Sequence, residues 1–156
     1  MFVALLRHGI AEDRAPTDYH RRLTPRGRYE LDRLLDHLVR IPWRPGIILS
    51  SPLVRADQTA EMVAHRFPTV PRISTEVLAM GDPEAFQWIA ADHPDPLLVG
   101  HEPTLGAFGA RLLGAPMSAF PLERAGFALF EVERLPLTRP ARLLFSLSPR
   151  WLPGGP

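Results

Sequence analysis

The strongest constraint on this chain is an alternation of short apolar runs with longer segments of helical periodicity. Residues 2–6, 46–50, 96–100, 127–132 and 142–147 are predominantly apolar and only five or six residues long. Runs of that length read as strands, and the most apolar of them as strands buried on both faces. Residues 73–78 are a weaker sixth candidate. Between them, Leu31, Leu34, Leu35, Leu38 and Val39 repeat at the i, i+3, i+4, i+7, i+8 spacing of one helix face. Thr24 suits the N-cap of that helix and Pro25 its first position. Leu53, Ala56, Ala60, Val63 and Phe67 line a second helix, with Ser51 expected as cap and Pro52 as first residue. Asp82-Pro83 opens a third, carrying Phe86 and Ile89. Pro103 opens a fourth, carrying Leu105, Phe108 and Leu112.

Strands that alternate with helices build βαβ units, because parallel neighbours need a crossover. The expected fold is α/β: a three-layer sandwich with helices on both faces of a mostly parallel sheet of about five to six strands. The last two strands follow one another without a helix, so antiparallel pairing is expected at one edge. The 156 residues suit a single domain spanning 1–156, with 149–156 read as an irregular tail.

Composition removes several function classes. The formal net charge is +1, too small an excess for a polyanion-binding protein, and aromatic residues are sparse for stacking on bases. No nucleic-acid partner is expected. No apolar run approaches the roughly 20 residues of a membrane span, and the opening residues lack the basic start of a signal peptide. A cytoplasmic setting is expected, with no membrane partner. Cysteine is absent, which excludes disulfides, thiolate metal sites and a cysteine nucleophile. All 18 cationic side chains are arginine, so no lysine can form a Schiff base. Asparagine is also absent and proline is abundant, which fits a GC-rich genome or a heat-adapted host.

In open α/β sheets, ligands bind outside the carboxyl ends of the strands. Arg7-His8-Gly9 follows the first strand, Ser50-Ser51-Pro52-Leu53-Val54-Arg55 the second, and Gly100-His101-Glu102-Pro103 the next buried one. Two histidines and two arginines thus converge on one edge, where two helices also begin. Helix N-termini and arginine forks both favour an anion. Gly9 would let backbone N–H groups approach it closely. Neutral imidazole offers a lone pair that can attack phosphorus, and the cations around it would bind the transferring phosphoryl oxygens. Each residue alone has a plainer reading: a surface Arg-His pair, a hydrogen-bonded structural His101, a solvated Arg55.

The same segments resemble a known family. Leu6-Arg7-His8-Gly9 resembles the RHG signature of the histidine phosphatase superfamily, the phosphoglycerate-mutase-like group. Ser50 through Ala60 resembles its SSPLxRAxQTA segment, and Val99-Gly100-His101-Glu102-Pro103 its VGHxP segment. The short chain is similar to the SixA-like branch, which acts on phosphohistidine in signalling proteins. Arg21-Arg22-Leu23-Thr24-Pro25-Arg26-Gly27 resembles that branch's RxLTxxGR segment, and Gly81-Asp82-Pro83 its GDP. The resemblance implies that His8 is the nucleophile that becomes phosphorylated. Arg7, Arg55 and His101 would form the phosphate pocket, with Arg21 near it. It implies no metal and no cofactor. The expected partners are a phosphorylated protein or a small phosphate ester, with inorganic phosphate as product.

Larger members carry a glutamate general acid in a long insertion after the second helix. Here only about eighteen residues separate Phe67 from Phe86. The candidate general acids are Glu76, Asp82 and Glu102, each with a structural alternative. Asp82 suits a helix N-cap, Glu102 suits the start of the Pro103 helix, and Glu76 suits a strand edge. An alkyl phosphate expels a poor leaving group and needs a proton donor. Phosphohistidine expels imidazole, whose conjugate acid has a pKa near 6.5. The expectation is a metal-independent phosphatase for phosphohistidine or for phosphomonoesters with good leaving groups. The alternatives are a phosphate- or phosphoprotein-binding module without turnover and a small-molecule phosphomonoesterase. A metal hydrolase would need ligand sets such as His8 with Glu12 or His93 with His101, whose spacing fits no helix face.

Overall fold

The structure, a computed structural model, describes residues 1–80 and 82–154. Its sheet contains β1 (Phe2–Arg7), β2 (Ile47–Ser50), β3 (Arg72–Ser74), β4 (Pro96–Gly100), β5 (Phe127–Glu131) and β6 (Arg142–Leu147). The spatial order is β3-β2-β4-β1-β5-β6. β3, β2, β4 and β1 pair in parallel, whereas β5 pairs antiparallel with both β1 and β6. The antiparallel edge is therefore two strands wide. The helices are α1 (Pro25–Leu38), α2 (Val54–Arg66), α3 (Pro83–Ala91) and α4 (Thr104–Leu112).

Side chains alternate across the pleat, so each central strand feeds two cores. Ala4 and Leu6 of β1 and Leu97 and Val99 of β4 pack with the buried faces of α1 and α2. Val3, Leu5 and Leu98 point the other way, into a second core with Phe86 of α3 and Leu105, Phe108 and Leu112 of α4. This is why β1, β2 and β4 read as unbroken apolar runs. Trp43 is buried in the first core, while Trp88 and Trp151 are exposed. No described helix is long and apolar enough to cross a membrane.

Three local expectations are corrected. The run 73–78 is not one strand: β3 stops at Ser74, and Glu76–Leu78 forms a 3-10 turn whose Leu78 enters the second core. α2 begins at Val54 rather than Pro52, and Ser51 does not cap it. The segment after Ser148 is not irregular throughout. Pro149–Trp151 forms a 3-10 turn, Leu152 is buried in the first core, and Arg33 of α1 donates to the carbonyls of Leu152 and Pro153. Gly155 and Pro156 lie outside the described residues, as does Gly81 of the Gly81-Asp82-Pro83 segment.

Candidate active site

The parallel register of β1 and β4 sets Arg7 opposite Gly100. The His8 amide donates to the Gly100 carbonyl at 3.1 Å. His8 and His101 therefore leave the sheet side by side, with ring centroids 5.1 Å apart. β2 lies on the other side of β4, and the Ser51 amide donates to the Val99 carbonyl at 3.0 Å. Ser51 Oγ thereby comes within 2.7 Å of His101 Nε2. This contact, together with the Leu53 amide at 3.2 Å, occupies the hydroxyl that local sequence assigned to a cap. Arg55 sits in the first turn of α2 and turns back over the strand ends. Its side chain is only 8% exposed, and its Nε lies 3.4 Å from His8 Nε2.

His8 is buried, and its Nδ1 lies 2.7 Å from the Gly9 carbonyl. A carbonyl only accepts, so the proton sits on Nδ1 and the Nε2 lone pair faces Arg55. Burial is the main force that pulls the His8 pKa down, to about 3. The Gly9 carbonyl opposes it, and His101, Arg55 and Arg7 reinforce it. His101 is lowered to about 4, again mainly by burial and then by Arg55, with Asp18 opposing. Both rings are neutral at pH 7. His101 Nδ1 is buried with no partner among the described residues, an unspent hydrogen-bonding position in the pocket.

The loop before α1 supplies an unforeseen group. Asp18 opens the 3-10 turn Asp18–His20. Its carbonyl accepts from Arg55 Nη1 at 2.8 Å and its Oδ2 from Nη2 at 3.1 Å. Its Oδ1 accepts from Arg21 Nη1 at 3.1 Å, while Arg21 Nε donates to the Glu12 carbonyl at 2.6 Å. Hydrogen bonds from Arg21, then from Arg55, hold the Asp18 carboxyl below the usual carboxylate range, with partial burial opposing. Arg21 thus reaches the pocket rim through Asp18.

Arg7 ends β1. Its Nη1 donates to the Leu122 carbonyl at 2.9 Å, and its Nε is buried without a partner among the described residues. The Gly9 amide donates to Thr59 Oγ1 at 3.3 Å. A methyl group there would collide with Leu31 Cδ1 at 2.7 Å. The glycine lets α1 pack directly against the loop that carries His8.

Of the three acid candidates, only Glu102 lies next to the pocket histidines. Glu76 is exposed at the start of its 3-10 turn, not on a strand edge. Asp82 caps α3, its Oδ1 accepting from the Glu84 amide at 2.9 Å. Glu102 accepts from the Gly106 amide at 2.7 Å in the first turn of α4. Burial raises its pKa, opposed by that bond and by Arg7. The structure brings His8, Arg55, His101 and Arg7 to one strand-end edge and leaves Glu76 and Asp82 in structural positions.

Sequence reasoning missed Asp18, Ser51 and Thr59 as site residues. Thr59 Oγ1 donates to the Arg55 carbonyl at 2.7 Å while accepting from Gly9, which ties α2 to the His8 loop. Ser51 and Thr59 lie inside the quoted motif segment. Asp18 lies in a polar loop with no periodicity that would single it out.

The mixed sheet carries a histidine pair and two arginines at its strand ends, an arrangement suited to an anion. Residues 3–79 match the sequence profile of the histidine phosphatase superfamily (branch 1), and the chain belongs to that superfamily. A relative in Picosynechococcus sp., itself uncharacterized, is 31% identical over 97% of this chain and 99% of its own. A structure assigned to the phosphohistidine phosphatase SixA of Agrobacterium tumefaciens is 26% identical, with a TM-score of 0.81 over 94% of this chain and 97% of that one. The protein histidine phosphatase SixA complexed with tungstate shares the fold, with a TM-score of 0.79 at 24% identity, covering 96% of this chain and 98% of that one. Within the superfamily, this chain is SixA-like.

Proposed function

We propose that this protein is a metal-independent phosphatase that takes the phosphoryl group from phosphohistidine in proteins onto His8. The observation that carries this reading is the state of His8. It is neutral, with its proton engaged by the Gly9 carbonyl and its Nε2 lone pair turned to the Arg55 guanidinium.

In the first step the Nε2 lone pair forms the bond to phosphorus. The bond from phosphorus to the substrate nitrogen breaks and its electron pair stays on the substrate ring, which enters protonated at its other nitrogen and departs as neutral imidazole. In the second step water attacks phosphorus, the bond to His8 Nε2 breaks, and inorganic phosphate leaves as the water proton is taken up by solvent or phosphate. Arg7, Arg55 and His101 serve the phosphoryl oxygens, whose charge these donors stabilise without reorganising. Arg21 acts one step back, through Asp18.

The leaving group follows from the carboxyls. Asp18 is held ionised by two arginines and has no proton to give. Asp82 and Glu102 are engaged at helix starts, and Glu76 faces solvent. With no unengaged carboxyl at the pocket among the described residues, the site suits an imidazole already protonated at its far nitrogen, which leaves neutral without a proton donor at the breaking bond. The test is metal-free hydrolysis of a phosphohistidine protein and of a simple alkyl phosphate by wild type and His8→Ala. This reading expects turnover of the phosphohistidine protein, loss in the variant, and at least about a hundredfold lower rate on the alkyl ester. Preference for the alkyl ester would move the assignment to a small-molecule phosphomonoesterase. Binding without turnover would move it to a phosphoprotein-binding module.

A further inference from the structure

A cleft of about 430 Å³ opens beside the pocket, and Arg7 lines it. That volume accommodates side chains of a bound partner. Ile10, from the loop that carries His8, also lines it. Arg26 and Arg33 of α1, Arg124 of the loop before β5, and Arg150 of the last 3-10 turn complete its basic lining.

The charges do not cancel. Arg26 Nε pairs with Glu30 at 3.2 Å, and Arg150 Nη1 with Glu123 at 3.2 Å. Among the described residues, Arg33 donates only to the carbonyls of Leu152 and Pro153. Arg124 makes no hydrogen bond or ion pair among the described residues, and Arg7 spends Nη1 on a carbonyl. Among the described residues, five guanidinium groups thus share two side-chain carboxylates, on a chain whose formal net charge is only +1.

The loop that presents Arg124 is fixed to the catalytic strand. The Ala125 amide donates to the His8 carbonyl at 3.0 Å, and the Arg7 amide to the Gly126 carbonyl at 3.0 Å. Ala125 holds φ at 56°, a left-handed conformation that disfavours a non-glycine residue and persists only when its surroundings impose it. Arg124 is therefore displayed at a set place relative to His8 rather than on a free loop.

We propose that this cleft is a docking site for the acidic side chains that flank the phosphorylated residue of a protein substrate. The proposal rests on the phosphoprotein reading above and specifies which phosphoproteins fit. Carboxylate is the chemistry indicated, because the two filled positions in the cleft are already arginine–carboxylate pairs and the remaining cations have the same fork. Arg7 belongs to both sites, so an acidic segment in the cleft would run directly to the phosphoryl group.

The test uses a fluorescein-labelled, unphosphorylated peptide rich in Asp and Glu, and its Asn/Gln counterpart, with anisotropy read at low and physiological salt. Wild type should bind the acidic peptide at least about tenfold tighter at low salt, with the margin shrinking as salt rises. Arg124→Glu should abolish the margin. Arg134→Glu, an equal charge change at an exposed position outside the cleft, should keep it. Glu123→Gln, which frees Arg150, should widen it. Equal binding of the two peptides, or an unchanged margin in Arg124→Glu, overturns the proposal. Phosphohistidine versions of both peptides then give kcat/KM, whose acidic preference should vanish in Arg124→Glu. If neither is hydrolysed by wild type, the substrate assignment falls and the anisotropy alone decides the cleft.

Discussion

Asp18 closes on Arg55 with both its carbonyl and its carboxylate oxygen, at 2.8 and 3.1 Å. The two terminal nitrogens of the guanidinium are taken by Asp18, which leaves the Nε edge turned to His8 Nε2 at 3.4 Å. An arginine has five donors in a rigid plane, so fixing one edge aims the other. Asp18 is a positioning residue: it sets the direction of the cation nearest the nucleophile.

Asp18→Ala should lower kcat about tenfold, since misaligning one donor forfeits part of the oriented field. It should also bind inorganic phosphate more tightly, because a carboxylate that competes for Arg55 and Arg21 is gone. Asp18→Asn keeps the backbone carbonyl and one side-chain oxygen and should recover most of kcat. Steady-state rates with phosphate as inhibitor check this split. A parallel fall in kcat and in phosphate affinity would contradict it.

The two pocket histidines make the protein acid-labile. Each is neutral in the native state, with pKa lowered to about 3 for His8 and about 4 for His101. Below pH 6.5 the unfolded chain takes up protons that the native state refuses. Stability is therefore full above pH 6.5 and falls as pH drops toward 4 and then 3, by about 2 kcal/mol for each histidine at pH 5. Urea unfolding between pH 4.5 and 7.5 measures the slope. His101→Gln should flatten it, and imidazole nitrogen shifts in NMR should show both rings neutral at pH 5.

Gly27→Ala should destabilise the protein by about 1–3 kcal/mol, as overpacking does, although alanine is the better helix former. An added methyl group would collide with the Ile10 carbonyl, which also accepts from the Thr24 amide at 2.9 Å. The start of α1 is seated on the loop two residues beyond His8. Urea unfolding with activity measured on the folded fraction separates the effects, and both should fall. A rise in midpoint would show that α1 can move off the loop at no cost.

Glu102→Gln should change phosphohistidine turnover less than about threefold, since its carboxylate serves the Gly106 amide and an amide oxygen can accept the same bond. A hundredfold loss, with an altered pH profile, would make Glu102 the general acid after all.

How much of this was legible in the sequence depended on what each element packs against. β1, β2 and β4 are buried on both faces, so their apolar runs could be read without knowing neighbours. β3 is a three-residue edge strand, exposed throughout, and the apolar residues beyond it serve a 3-10 turn that packs against α3 and β4. Thr24 and Asp82 cap their helices because capping is local. Ser51 does not, because a histidine fifty residues away claims its hydroxyl. His8, Arg55 and His101 could be brought together by strand order alone. Asp18 could not, since only the fold of an aperiodic loop carries it to Arg55. The arginine cleft draws on separate stretches of chain, from β1, α1, the loop before β5 and the last turn, and no linear spacing records their meeting.

The central claim is that phosphate passes through His8 Nε2. Rapid mixing of wild-type protein with a phosphohistidine protein, quenching at alkaline pH to preserve the P–N bond, and mass spectrometry of the peptide containing His8 test it most directly. The account predicts a transient adduct of one phosphoryl group on His8 that forms no slower than product and is absent from His8→Ala. Turnover at the wild-type rate in His8→Ala, or substrate consumption with no phosphorylated His8 at any time point while label appears elsewhere on the protein, would contradict it.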